Sequence, residues 1–227
     1  MRGRELRGIF EKLAKEEARV SVSSIVMSSH WGREVRHKYI TQESKALAVV
    51  FPGKNYSAER SLLDYAAKLA REYGCDILLL EYGYQSARAE LKRDEIDIIA
   101  EECKAAVSSL PEYEQLLFIS KSMGAVIAGR VAAELNLNLK TSHLYLTPVA
   151  DSLPLLRQSR GSIIYGGSDP TFTEQHAAGL NGQKNLRVYR IDDANNALEV
   201  GSVNESLAVL LVIINFYHEF FRDALTG

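Results

Sequence analysis

The chain has 227 residues and a mass of 25.3 kDa, long enough to bury one sizeable core, and α/β folds of this length commonly close as one domain. Its 27 Lys and Arg against 29 Asp and Glu leave a formal charge of -2 with no basic block, so neither nucleic acid nor an acidic membrane is an expected partner. Cys75 and Cys103 lie far apart without metal-ligand spacing, so they read as reduced, mostly buried thiols and point to a cytoplasmic protein with no metal site.

In chain order, residues 1–19 mix basic and acidic side chains around Leu6, Ile9, Phe10 and Leu13, a helical extension without the apolar centre of a signal peptide. Val20 to Ile40 carries Val22, Ile25, Val26, Val35 and Tyr39 around His30-Trp31-Gly32, the composition of an antiparallel hairpin. Strand-like runs then alternate with helical ones: Ala46–Phe51, Asp76–Leu80, Leu116–Ile119, His143–Leu146, Ser162–Tyr165 and Leu186–Ile191. Continuous apolar strands separated by helices predict a mostly parallel sheet covered on both faces, a three-layer α/β/α sandwich.

Between the strands, Leu62, Tyr65, Leu69 and Tyr73 form a helical stripe closed by Gly74, and Leu91 to Leu110 repeats the period through Ile96, Ile99, Cys103 and Val107. The last helix starts with Ser202 and Glu205 as a capping box and runs to about Arg222. Its apolar stretch Leu207–Ile214 falls well short of the ~20 residues that span a bilayer and is expected to be buried.

Chemistry concentrates at Ser120-Lys121-Ser122-Met123-Gly124, placed between the run Leu116–Ile119 and a small-residue helix beginning at Ala125. A serine between small residues at a strand-to-helix corner suggests a nucleophile elbow, in which the hydroxyl projects outward and the helix N-terminus offers N–H groups and positive potential to an oxyanion. The first small position is Ser120 rather than glycine. After the first long parallel strand, Pro52-Gly53-Lys54-Asn55-Tyr56 is a turn whose Lys54 N–H would pair with that of Met123 as the oxyanion hole. After Ser162–Tyr165, Gly166-Gly167-Ser168-Asp169-Pro170 sets a carboxylate at a strand end, although Asp-Pro is equally a good helix start.

In chain order, the glycine turn at Pro52-Gly53-Lys54, the elbow at Ser122, the acid turn at Asp169 and a final loop before the long C-terminal helix resemble the α/β-hydrolase family, specifically its small cap-less serine esterase, lipase and thioesterase-like members, over roughly Val20 to Arg222. The resemblance implies Ser122 as nucleophile, Asp169 as orienting acid, no cofactor, and substrate contacts at Gly53, Tyr56 and Leu153. It also implies a catalytic histidine in the loop after the final strand, within a stretch reading Ala-Asn/Asp-His-Ser-Leu-Glu. Here that stretch is Ala194-Asn195-Asn196-Ala197-Leu198-Glu199, and Asn196 stands at the histidine position.

An asparagine amide cannot accept the serine proton as imidazole does. Loss of that base from a serine triad costs on the order of 10⁶ in kcat, with about 10³ to 10⁴ over water left from binding and the oxyanion hole. No other histidine has an obvious claim: His30, His37 and His218 are expected to be surface or packing residues, His143 begins a strand, and His176 would need its helix to fold back over the site. Lys121 is expected to point away at the elbow. Two functions stay open, an ester or thioester hydrolase with impaired or atypical catalysis, and a silent hydrolase-fold protein that binds a small acyl ligand or a partner, with Asn196 bonded to Ser122 or Asp169. The short segment between the strands at His143 and Ser162 leaves little room for a lid, and Leu153, Leu155 and Leu156 are expected to form an apolar rim.

Overall fold

The computed structural model describes residues 20–226; the helical extension expected over 1–19 lies outside them. Strands β1 (Ser21–Ser28) and β2 (Glu34–Thr41) form the expected opening hairpin. Six more follow: β3 (Ala46–Phe51), β4 (Asp76–Leu79), β5 (Gln115–Lys121), β6 (Thr141–Leu146), β7 (Gly161–Gly166) and β8 (Leu186–Ile191). They join in one sheet of order β1-β2-β4-β3-β5-β6-β7-β8. The hairpin is antiparallel to β4, and every pairing from β4 to β8 is parallel.

Period-two alternation divides the strands between two helical layers. Ala48, Val50, Leu117, Ile119, Leu144 and Leu146 face helices α1 (Ser61–Glu72) and α7 (Val203–Thr226). On the other face, Leu47, Val49, Phe51 and Phe118 pack against α3 (Ile96–Ser108) and α4 (Gly124–Glu134), with the short α2 (Gly83–Ser86) beside them. Further along that face, Tyr145, Ile163 and Tyr165 pack with α5 (Leu153–Leu156) and α6 (Glu174–Ala178). The expected three-layer sandwich is the observed architecture, and the segment from β6 to β7 holds only a 3₁₀ turn and α5, with no lid.

Three local expectations change. The helix read from Leu91 begins as a 3₁₀ turn at Arg93–Glu95 and becomes α-helical only at Ile96. In α1, Tyr65 is 43% exposed, and Ala66 and Ala70 complete the buried face. In α7, Leu207 and Leu211 are 55% and 66% exposed, so Leu207–Ile214 is not a buried stretch. The reason is length: 24 helical residues extend ~36 Å, whereas six-residue strands extend ~20 Å, so the first half of α7 overhangs the sheet. Burial is delivered by Ile213 near its middle and by Tyr217, Phe220 and Phe221 in its second half. Among the described residues no helix is long and apolar enough to cross a membrane.

Candidate active site

Ser122 is the first of two residues between β5 and α4, and its backbone takes φ +52°, a left-handed conformation that costs a non-glycine residue on the order of 1–2 kcal/mol. The corner is held from both sides: Ser122 N–H donates to the Leu146 carbonyl of β6 at 3.0 Å, and Ala125 N–H donates to the Ser122 carbonyl at 3.0 Å. Gly124 lets α4 approach the end of β3, because a Cβ there would sit 2.5 Å from the carbonyl oxygens of Phe51 and Pro52. Ser120, in place of the more usual glycine, is fully buried, and its Oγ has no partner among the described residues.

The turn after β3 is pinned as tightly. Gly53 N–H donates to the Tyr56 carbonyl at 2.9 Å and Tyr56 N–H returns the bond at 3.4 Å, closing the loop over Lys54 and Asn55. The Tyr82 hydroxyl donates to the Pro52 carbonyl at 2.9 Å, and Tyr84 and Gln85 donate to the Lys54 carbonyl. No acceptor among the described residues engages the N–H of Lys54 or of Met123, the two groups expected to hold an oxyanion. The supporting pair Tyr82 and Tyr84 was not singled out from sequence, although two tyrosines directly after an apolar strand need buried acceptors for their hydroxyls.

Asp169, 2% exposed, lies in the loop after β7 and accepts three hydrogen bonds: from Thr171 N–H at 2.8 Å, Thr171 Oγ1 at 2.7 Å and Asn196 Nδ2 at 2.7 Å. It does not cap a helix, because α6 begins four residues later than Pro170 and takes Thr173 as its N-cap. Gly166 precedes this loop where any Cβ would collide with the carbonyls of Ala194 and Asn195, bringing the Asn196 loop against Asp169. Asn196 faces Asp169, and no hydrogen bond joins it to Ser122.

The other end of Asn196 corrects the expectation for Lys121. That side chain does not point away from the site; it is 1% exposed, and its Nζ donates to Asn196 Oδ1 at 2.8 Å and to Thr147 Oγ1. Alternation along β5 puts Lys121 on the same face as Leu117 and Ile119, and at the strand's last position a four-carbon stem runs beneath the Gly53 turn to the neighbouring loops. The Tyr56 ring centroid lies 5.3 Å from Nζ, so Tyr56 roofs the lysine. Carboxylate can only accept and ammonium can only donate, which orients the amide between them without ambiguity. Burial lowers the Lys121 pKa to about 8, against an opposing pull from the Asp169 charge.

The remaining histidines stay out of this cluster. His176 Nδ1 accepts from Thr173 N–H at 3.0 Å as part of the α6 cap, and His143 stacks on Tyr145 inside the sheet layer, where burial first and Arg160 second lower its pKa to about 3. His37 is a buried acceptor for Glu81 N–H, and His218 bonds Tyr73. The three leucines expected to form an apolar rim pack inward: Leu156 is core, Leu155 packs against Gly129, and Leu153 is half-buried against the group of Tyr145, Ile163 and Tyr165. A groove of about 660 Å³ does open between α1 and the start of α7, lined by Leu62, Tyr65, Leu198, Leu207 and Leu210, beside the loop that carries Asn196. Among the described residues no acidic, His or Cys cluster suits a metal.

No protein-family model matches the chain, and no curated protein does. Solved structures do. An esterase from Pyrococcus furiosus superposes with a TM-score of 0.67 at 12% identity, covering 93% of each chain. A dienelactone hydrolase from Anabaena variabilis gives 0.66 at 14% identity, over 89% of this chain and 99% of that one. A lidless α/β serine hydrolase from Xanthomonas campestris gives 0.59 at 14% identity, over 88% and 94%. The chain therefore has the α/β-hydrolase fold. Its Ser122 elbow, Lys54 turn and Asp169 loop occupy the carboxyl ends of β5, β3 and β7, where open α/β sheets build their sites.

Proposed function

We propose that the protein is an atypical serine hydrolase acting on small carboxylic or thio esters, with Ser122 as nucleophile, the N–H groups of Met123 and Lys54 as the oxyanion hole, and Asn196 occupying the place of the usual base. The observation that carries this reading is Ser122 at positive φ on the strand-to-helix corner, one of seven non-glycine residues so held among the described residues and the one that directly follows β5 and leads into α4. The hydrolase neighbours in fold support it, and the groove beside the Asn196 loop, lined by Leu62, Leu207 and Leu210 but also by Asp193, Glu199 and Ser202, is where we place the acyl chain. Attack by Ser122 Oγ on the carbonyl carbon would generate an oxyanion facing the two free N–H groups and the N-terminus of α4.

A second reading, a silent protein that binds a small acyl ligand, draws on one observation: both N–H donors of Asn196 are taken by Asp169 and Thr171, its oxygen accepts from Lys121, and no hydrogen bond joins it to Ser122. The two separate on short acyl esters and a fluorophosphonate. The hydrolase reading expects Ser122 to be labelled and a slow turnover that Ser122→Ala abolishes. It also expects Asn196→His to raise the Ser122-dependent rate at least tenfold. An intact fold with neither labelling nor turnover supports the silent protein.

A further inference from the structure

We propose that Lys121, in its neutral form, is the proton acceptor for Ser122 and so takes the catalytic place that Asn196 has vacated; this rests on the hydrolase reading above. A lysine with 1% exposure at the end of a central strand is an expensive way to fill space, since an apolar residue of similar volume would avoid the desolvation. What surrounds it is consistent with an amine that can lose its proton. Nζ has two acceptors, Asn196 Oδ1 and Thr147 Oγ1. An ammonium has three N–H donors and a neutral amine has two with one lone pair, so deprotonation leaves both acceptors satisfied and frees the lone pair.

The charged side chain bearing on Nζ is Asp169, from the loop after β7. From the other loops packed around it come a neutral amide, Asn196 after β8, a neutral hydroxyl, Thr147 after β6, and the ring of Tyr56 after β3. Asn196 holds the negative charge one side chain away, so Asp169 no longer touches the base directly as it would a histidine. The ammonium is thereby stabilised less than in a direct ion pair, and burial prevails.

No hydrogen bond joins Nζ to Ser122 Oγ, so in the forward step one water relays the Ser122 hydroxyl proton to neutral Lys121 Nζ as Oγ bonds to the acyl carbon and the carbonyl π pair moves onto oxygen. Collapse breaks the bond to the leaving alkoxide or thiolate, which receives that proton from the Lys121 ammonium. A water then attacks the acyl-serine, gives one proton to Nζ, and the departing Ser122 oxygen recovers it. The sum is ester plus water to acid plus alcohol or thiol.

The test compares the native chain with Lys121→Met, Lys121→Arg and Ser122→Ala on p-nitrophenyl acetate from pH 6 to 10, with folding checked by circular dichroism. The Ser122-dependent kcat/KM is expected to rise about tenfold per unit at low pH and level off with a midpoint near 8, following the Lys121 value. Both Lys121 variants should lose at least 100-fold and the pH rise with it, because methionine has no proton site and arginine does not release its proton. A lysine-labelled ¹³C NMR titration of the native chain should show one amine with a midpoint near 8, a readout independent of turnover. Ser122-dependent hydrolysis that survives Lys121→Met with its pH profile unchanged overturns the inference and leaves the hydrolase reading standing. Recovery of activity by Lys121→Arg overturns it in favour of a positioning role, a midpoint near 10 for the native amine overturns it directly, and absence of any Ser122-dependent rate overturns both.

Discussion

Glycine at 124 and lysine at 121 each make a demand that can be measured separately from catalysis. Position 124 has helical geometry, where alanine would ordinarily gain up to about 1 kcal/mol over glycine. The added methyl would meet two backbone carbonyls at 2.5 Å, and backbone at a strand end cannot step aside as a side chain can. Gly124→Ala is therefore expected to lower stability by about 1–3 kcal/mol in urea unfolding, the range for overpacking. For Lys121 the folded pKa of about 8 lies below the 10.5 of the free amine, so between those values the unfolded chain binds more protons and stability rises with pH. Lys121→Met should flatten that rise relative to the native chain. His143 behaves likewise at lower pH: its folded value of about 3 lies below 6.5, so the stability it contributes is present above 6.5 and is lost as pH falls towards 3. His143→Phe should make the urea midpoint less sensitive to acid between pH 6.5 and 4, by up to about 1.4 kcal/mol per pH unit. Ser122, Asp169 and Asn196 were legible because each sits in a short local pattern. Lys121 was not, because its direction depends on four loops meeting over the end of β5, and its only sequence signal was a cation ending an otherwise buried apolar strand.

Among the elements, α7 shows where helical pattern and burial diverge. Its capping box was readable at Ser202 and Glu205, and the bonds are present: Ser202 N–H to Glu205 Oε2 at 2.6 Å and Glu205 N–H to Ser202 Oγ at 3.3 Å. Ser202→Ala should cost about 0.5–2 kcal/mol, towards the low end at this exposed terminus. The apolar run that follows looked like core in sequence, yet Leu207, Leu211 and Val212 are exposed and Ile213 alone is fully buried, and nothing in local periodicity reports how long the neighbouring strands are. Leu211→Lys is accordingly expected to change stability by no more than about 0.5 kcal/mol, whereas Phe221→Ala should cost about 3–5 kcal/mol. Chemical denaturation of the two variants side by side checks the contrast. Strand positions were easier to read than helix faces, because β3, β5 and β6 are buried on both sides and carry the continuous apolar runs Ala46–Phe51, Leu116–Ile119 and Leu144–Leu146.

For the molecule as a whole, the alternation of apolar strands and helices was enough to predict a mostly parallel sheet between two helical layers, and the order of the glycine turn, elbow and acid turn aligned three loops at one sheet edge. What the sequence could not convey is how the side chains of these loops bond to one another once folded. The chain has a strained serine corner beside two N–H groups without an acceptor among the described residues, and a hydrogen-bonded chain that runs Asp169, Asn196, Lys121. The central claim, that Ser122 is a working nucleophile, is tested most directly by hydrolysis of a short acyl ester with the native chain and with Ser122→Ala at pH 8.5, alongside fluorophosphonate labelling mapped by mass spectrometry. The account predicts slow turnover and labelling at Ser122, both abolished in the variant. A native chain that is folded, unlabelled and no faster than Ser122→Ala would contradict it.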